Sequence, residues 1–101
     1  MITKFPKIDR PRIAVDFDGV ICAKDQIPIE GAKEALSKLF KKYYLIIFTA
    51  RENRVEVKYW LRAHDMRFNE ITNIKQNNIK FWIDDHAIQF KDWNETLNTV
   101  L

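Results

Sequence analysis

The sequence contains few of the residues that mark extracellular, disordered or membrane-spanning chains. It has a single cysteine, Cys22, which cannot form a disulfide within the chain and fits a reducing compartment. Two glycines and three prolines are too few for a long flexible linker. The longest apolar run, residues 43–48, is far shorter than the roughly 20 residues that span a bilayer. Residues 1–12 are polar, unlike a secretory signal. We therefore expect a cytoplasmic protein without a membrane segment.

The charge of the chain is mildly basic and is not gathered in one place. The formal net charge is +3, and there is no block of lysines and arginines. A strong nucleic-acid signal is therefore missing from the sequence. Two interpretations of the excess stay open: an ordinary solvated surface, or a weak preference for anionic substrates.

Length and composition indicate one globular domain. The chain has 101 residues, of which 47% are hydrophobic and 31% charged, a balance that disordered chains lack. We expect a single domain over residues 1–101, in which residues 1–11 form a short N-terminal arm with two prolines.

Apolar runs alternate along the chain with segments of helical period. The runs predict strands at residues 13–17, 44–49, 70–72 and 79–84, and the periodic segments predict helices at 31–43, 51–64 and 92–101. Residues 22–30 are expected to form a loop or small hairpin. Such an order predicts an α/β domain with a mostly parallel sheet.

Polar residues follow the predicted strands. The residues concerned are Asp16, Asp18, Thr49, Arg51 and the pair Asp84–Asp85. Since ligands of open parallel sheets bind beyond the carboxyl ends of the strands, these side chains are expected at one site. Carboxylates gathered there suit Mg²⁺, which would offset the repulsion between Asp16 and Asp18.

These residue types can carry phosphoryl chemistry. One carboxylate can attack phosphorus, and a second can act as general acid and base. A hydroxyl and an ammonium would hold the phosphoryl oxygens; Thr49 is the candidate for the first, and Lys75 or Lys80 for the second. Lys80 lies four residues before Asp84 on a strand, about 13 Å from the site, so we favour Lys75.

Four segments in order resemble the haloacid dehalogenase-like (HAD) phosphohydrolases, in particular a small type without a cap domain. They are DFDGV at 16–20, FTAR at 48–51, NIK at 73–75 and IDDHA at 83–87. The resemblance implies a Rossmann-like three-layer α/β domain and a Mg²⁺-dependent phosphatase. Two positions depart from that type: His86 stands where arginine is usual, and Asp65 stands where a glycine is usual.

The resemblance also implies a role for each matching residue. Asp16 would be the nucleophile, Asp18 the general acid and base, Thr49 a phosphoryl ligand and Lys75 the stabilising cation. Gly19, Thr49, Ala50 and Arg51 are the candidate substrate-binding residues, with an ordinary solvated charge as the open alternative for Arg51. Mg²⁺ would be held by Asp16, Asp18, Asp84 and Asp85, with direct coordination by Asp85 left open.

The short distance between motifs leaves no room for a cap. About 30 residues separate Asp18 from Thr49, and a helix and a strand use most of them. An open site implies either a large substrate that closes the site itself or a lid from a second copy of the chain. The substrate would be a phosphorylated small molecule or a phosphorylated macromolecular end. The alternative function is a non-catalytic or receiver-like regulatory domain that binds Mg²⁺ and phosphate.

Overall fold

The computed structural model describes residues 10–84 and 88–101, with residues 88 and 89 described by their backbone only. Most of the predicted arm, together with Asp85 and His86, lies outside the described residues. The elements in chain order are β1 (Arg12–Asp16), α1 (Ala32–Lys42), β2 (Tyr44–Phe48), α2 (Arg54–Ala63), β3 (Glu70–Thr72), β4 (Ile79–Asp84), β5 (Ile88–Gln89) and α3 (Trp93–Val100).

The strands form one sheet in the order β3-β2-β1-β4-β5, and every neighbouring pair is parallel. The predicted Rossmann-like α/β class with its parallel sheet is thus confirmed. β1 lies at the centre because the chain extends the sheet to one side through β2 and β3 and then crosses to the other side.

The register brings the carboxyl ends of the strands to one level. Asp16 at the end of β1 is opposite Phe48 at the end of β2, and Phe48 is opposite Thr72 at the end of β3. On the other side of β1, Val15 is opposite Ile83, the residue before Asp84. The polar residues that follow these strands therefore share one edge of the sheet, as the sequence predicts.

The main apolar core lies on one face of the sheet. Alternate residues of the strands contribute to it, including Ile13, Val15 and Ile47, all fully buried. All three helices add buried residues to the same cluster, for example Leu36, Leu61 and Val100. α1 contacts β2 and α3, and α2 contacts β3.

The opposite face carries Ala14 and Ile46, which are also buried. In the described part of the chain it is covered by polar and aromatic side chains and by the loop of residues 73–78. In that loop Gln76 accepts a hydrogen bond from Arg12 at 3.1 Å and donates one to Glu70 at 2.8 Å. Gln76 thereby attaches one point of the loop after β3 to the sheet.

The helix after β2 begins three residues later than the sequence predicts. Asn53 is its N-cap, and its side-chain oxygen accepts a hydrogen bond from the Glu56 backbone N–H at 3.1 Å. Such a cap satisfies one of the free N–H groups of the first turn and fixes where the helix starts. Arg51 therefore precedes the helix, which leaves its side chain beside the carboxyl edge of the sheet.

The segment of residues 22–30 contains the small hairpin that was one of the two expectations. Cys22 and Pro28 form an antiparallel bridge, and Trp60 of α2 donates a hydrogen bond to the Gln26 carbonyl at 2.9 Å.

None of the helices in the described part combines the length and apolarity needed to cross a bilayer.

Candidate functional site

A small cavity opens at the carboxyl edge of the sheet, between the ends of β1 and β2. Its volume is about 110 Å³. Its lining residues are Asp16, Phe17, Asp18, Phe48, Thr49 and Ala50. The structure thus brings together the predicted nucleophile, the predicted acid and base, and the predicted phosphoryl ligand. A phosphoryl group is small enough to enter a space of this size.

Asp16 and Asp84 end neighbouring strands. Because Val15 is opposite Ile83, the next residues of the two strands are side by side, with their backbones about 5 Å apart. Both residues are half-buried. Two neighbouring carboxylates are a fitting protein contribution to a Mg²⁺ site, since this ion keeps several waters and binds substrate phosphate.

Two further residues were predicted as metal ligands. Asp18 contacts Arg51 in this structure, as described next, and Asp85 lies outside the described residues. Within residues 10–84 and 88–101 there is no group of three or more His, Cys, Asp or Glu side chains arranged to hold a metal.

Asp18 stands just beyond β1, on a tight turn. Gly19 has a φ of +83°, which favours glycine, and its N–H donates to the Cys22 carbonyl at 2.9 Å. No atom lies within 4 Å of the position that a side chain on Gly19 would take, so the glycine serves the turn geometry. The turn directs Asp18 outward, and its side chain is 53% exposed.

Arg51 binds the Asp18 carboxylate through two nitrogens of its guanidinium, Nε and Nη2. Nη2 donates to Oδ1 at 2.7 Å, and Nε donates to Oδ2 at 3.1 Å. This is the two-pronged geometry that arginine forms with carboxylates and lysine cannot. The hydrogen bonds to Asp18 raise the pKa of Arg51 above its ordinary value. Arg51 is thus a fixed positive charge beside the cavity, although it does not line it.

Other contacts hold the Arg51 side chain in place. Nη1 donates to Glu56 at 3.0 Å, and the guanidinium carbon lies 5.1 Å from the centre of the Phe17 ring. Phe17 in turn meets Trp60 edge to face at 5.1 Å. Glu56 is not among the predicted site residues; its position in the first turn of α2 is the only signal for it.

Thr49 is almost fully buried at the end of β2. Its backbone N–H donates to the Thr72 carbonyl at 3.0 Å, and its hydroxyl oxygen accepts from the Arg51 N–H at 3.1 Å. The second bond uses a lone pair of the hydroxyl, so the O–H can still donate to an oxygen in the cavity. A free O–H donor is what the predicted role of Thr49 as a phosphoryl ligand requires.

Lys75 does not line the cavity in this structure. It is exposed, and its Nζ lies 5.8 Å from the centre of the Trp82 ring. Trp82 meets Phe48 edge to face at 5.5 Å, and Phe48 lines the cavity. Lys80 lies over Phe81 at 5.6 Å. Lys75, on the loop that follows β3, is therefore separated from the cavity by Trp82 and Phe48.

Cys22 is buried next to the turn that carries Asp18. Burial raises the pKa of its thiol above the ordinary value, although the nearby charge of Arg51 acts in the opposite direction. A thiol of this kind stays protonated near neutral pH and is a poor nucleophile.

Protein-family models, curated proteins and solved structures were all compared with this chain, and none of them matches it. What can be said of its activity rests on its own residues and their geometry.

Proposed function

We propose that this chain is a Mg²⁺-dependent phosphatase of the HAD type that hydrolyses a phosphomonoester through an aspartyl phosphate on Asp16. One observation carries the proposal: Asp16, Asp18 and Thr49 line one small cavity at the carboxyl edge of a parallel sheet. These are a nucleophile, an acid and base, and a hydroxyl donor within one space of phosphoryl size.

In the first step a carboxylate oxygen of Asp16 attacks phosphorus, and the bond from phosphorus to the ester oxygen breaks. The departing oxygen takes a proton from Asp18. In the second step water attacks the phosphorus of the aspartyl phosphate and gives its proton to Asp18. The bond between Asp16 and phosphorus then breaks, which releases inorganic phosphate and restores both carboxyl groups.

Asp18 has to change its contacts during this cycle. Both of its oxygens accept from Arg51 here, and a protonated carboxyl oxygen is a poor acceptor from a guanidinium. We expect Arg51 to loosen one of these hydrogen bonds when Asp18 acts as an acid. A dianionic phosphate arriving in the cavity would supply a competing anion for the guanidinium.

Mg²⁺ held by Asp16 and Asp84 would neutralise charge on the phosphoryl oxygens when bound. The Thr49 hydroxyl donates to one of those oxygens. Lys75 would approach the group by a movement of the loop of residues 73–78.

The buried and unpaired Cys22 supports a reducing, cytoplasmic setting.

The test is hydrolysis of p-nitrophenyl phosphate with Mg²⁺, with chelator, and by Asp16→Asn and Asp84→Asn. We expect turnover that needs the metal and Asp16, and a higher Mg²⁺ requirement in Asp84→Asn. Asp25→Asn is the matched control, because Asp25 is an exposed aspartate that does not line the cavity. Turnover by Asp16→Asn equal to that of the unaltered chain would contradict the proposal.

A second candidate is a receiver-like regulatory domain that holds phosphate on Asp16 without rapid turnover. β1 is the middle strand and ends at Asp16, where such a domain needs its acceptor. In addition, Arg51 forms an ion pair with Asp18, the residue that would act as acid and base in hydrolysis, and this contact would slow turnover. Incubation with acetyl phosphate and Mg²⁺ separates the two, since a phosphatase releases phosphate continuously whereas a receiver accumulates a phosphorylated chain detectable by mass spectrometry.

A further inference from the structure

A groove runs along the outer side of α2, beside the edge strand β3. It consists of two adjoining cavities of about 290 and 450 Å³. The residues that line both cavities, and so join them, are Lys58, Phe68 and Asn69. The other lining residues are Arg54, Val55, Glu70 and Ile71 in the first cavity, and Phe40, Arg62, Met66 and Arg67 in the second. We call this surface the basic groove.

The basic groove is strongly positive. Its cations are Arg54, Lys58, Arg62 and Arg67, all exposed to solvent. Within the described part of the chain, none of the four forms an ion pair with a carboxylate; the ion pairs found there belong to Arg12 and Arg51. Four neighbouring cations without a counter-charge attract an anionic ligand.

The one carboxylate of the basic groove does not cancel this charge. Glu70 accepts hydrogen bonds from Tyr44 at 3.0 Å and from Gln76 at 2.8 Å, and it lies 3.9 Å from the Arg12 guanidinium. Its partners are therefore groups outside the groove, on the other side of β3.

Three of the cations are evenly spaced. Arg54, Lys58 and Arg62 follow one another at intervals of four residues on α2, which places them about 6 Å apart along one side of the helix. A row of this kind can meet successive phosphates of an extended polyanion. It is less suited to a compact anion, which would contact only one or two of the cations.

An aromatic ring stands at the middle of this row. Phe68 is half-buried and faces both cavities. Proteins that bind single-stranded nucleic acid combine a positive groove with such rings, on which bases stack. An acidic peptide would use the cations but has no planar base for Phe68.

We propose that the basic groove binds single-stranded nucleic acid, with Arg54, Lys58 and Arg62 on successive phosphates, Arg67 on a fourth phosphate and Phe68 under a base. This proposal does not rest on the phosphatase activity. The basic groove and the cavity at Asp16 have no lining residue in common.

The test is fluorescence anisotropy of a labelled oligothymidylate of twelve nucleotides, without a terminal phosphate, titrated with the protein at several salt concentrations. With four phosphates contacted, the slope of log affinity against log salt should be about −2.8. Arg54→Gln/Lys58→Gln/Arg62→Gln should weaken binding at least about tenfold and bring the slope near −0.7. Asp16→Asn should bind like the unaltered chain, which keeps this test separate from catalysis.

Two comparisons exclude a general charge effect. Lys33→Gln/Lys38→Gln/Lys91→Gln removes the same charge from exposed sites outside the basic groove and should leave the affinity within about twofold. Phe68→Leu keeps an apolar side chain and should weaken binding several-fold without changing the salt slope. Thermal unfolding of each variant verifies that it is folded.

Three outcomes would overturn the proposal. The first is no anisotropy change at low salt with protein in large excess, and the second is equal loss in the two triple variants. The third is displacement by polyglutamate as effective as that by unlabelled oligonucleotide, with no effect of Phe68→Leu, which would identify an acidic protein segment as the ligand.

Discussion

Arg51 donates hydrogen bonds to both carboxylate oxygens of Asp18, at 2.7 and 3.1 Å, across 33 residues of sequence. The pair is partly open to water, because the Asp18 side chain is 53% exposed and that of Arg51 is 24% exposed. Exposed pairs of this kind contribute about 1 kcal/mol or less to folding. We infer that the contact orients Asp18 and has little weight in stability.

The first prediction concerns this contact. Arg51→Lys keeps the charge but cannot bind both oxygens at once, so kcat/KM for phosphomonoester hydrolysis should fall about 10- to 100-fold. The free energy of unfolding, from urea titration, should change by less than about 1 kcal/mol. Arg62→Lys, the same exchange at an exposed position of α2, should alter neither quantity. An unchanged kcat/KM in Arg51→Lys would show that Arg51 is not a positioning residue.

The second prediction concerns the Thr49 hydroxyl. Thr49→Val removes the donor that faces the cavity, and kcat should fall about 100-fold. It also leaves the Arg51 N–H without its acceptor, which should cost about 1–3 kcal/mol of unfolding free energy. Thr49→Ser keeps the hydroxyl and should retain most of the activity. Similar rates for the valine and serine variants would show that the hydroxyl takes no part.

The third prediction separates the two lysines. Lys75→Ala should lower kcat about 100-fold if the loop of residues 73–78 delivers its ammonium to the phosphoryl group. Lys80→Ala should change kcat less than about twofold, because Lys80 is about 13 Å from the end of β4. Both side chains are exposed, so neither variant should lose more than about 0.5 kcal/mol of stability. A larger loss of activity in Lys80→Ala would reverse the assignment.

The fourth prediction concerns alkaline pH. Tyr43 is buried and donates a hydrogen bond from its hydroxyl to the Val100 carbonyl of α3. Burial raises the pKa of Tyr43 in the folded protein above that of the unfolded chain. Its stabilising contribution is therefore complete below the unfolded value of about 10 and is lost as pH rises above it.

Tyr43→Phe tests this dependence. The variant should lose about 1 kcal/mol of unfolding free energy at pH 8, because the hydrogen bond to α3 is gone. Between pH 10 and 11 its stability should decline less steeply than that of the unaltered chain. Tyr44, whose pKa burial also raises, remains in this variant and retains its own share of the decline. Parallel decline of the two proteins would contradict the assignment to Tyr43.

Much of the fold could be predicted because hydrophobic period and strand ends are local signals. The strands at 70–72 and 79–84 were predicted with the bounds that the structure has, and the sheet is parallel as expected. The start of α2 was predicted wrongly, at Arg51. Asn53 caps the helix, and the spacing of apolar residues gives no information on where a capping residue ends the preceding loop. β5 was not predicted because two residues give no period.

Contacts between distant residues were harder to predict. The order of motifs placed Asp16, Asp18 and Thr49 at one edge, and the cavity brings them together. The contact of Arg51 with Asp18 depends on the turn at Gly19 and on where α2 begins, which the sequence pattern does not specify. The cations of the basic groove were missed because they are four or five residues apart and form no contiguous block.

The central place of β1 in the sheet has a consequence for how the two aspartates can respond to a ligand. Each side of β1 is bonded to a neighbouring strand, so the amide groups around Asp16 exchange with solvent only when the whole sheet opens. Asp18, two residues later, is on a turn whose next residues are buried, because Val20 packs in the core and its carbonyl accepts a hydrogen bond from Trp93. The Asp18 side chain itself is 53% exposed and is held by the guanidinium of Arg51. An exposed side chain changes its rotamer without any opening of the backbone, so Asp18 can be repositioned while Asp16 stays fixed.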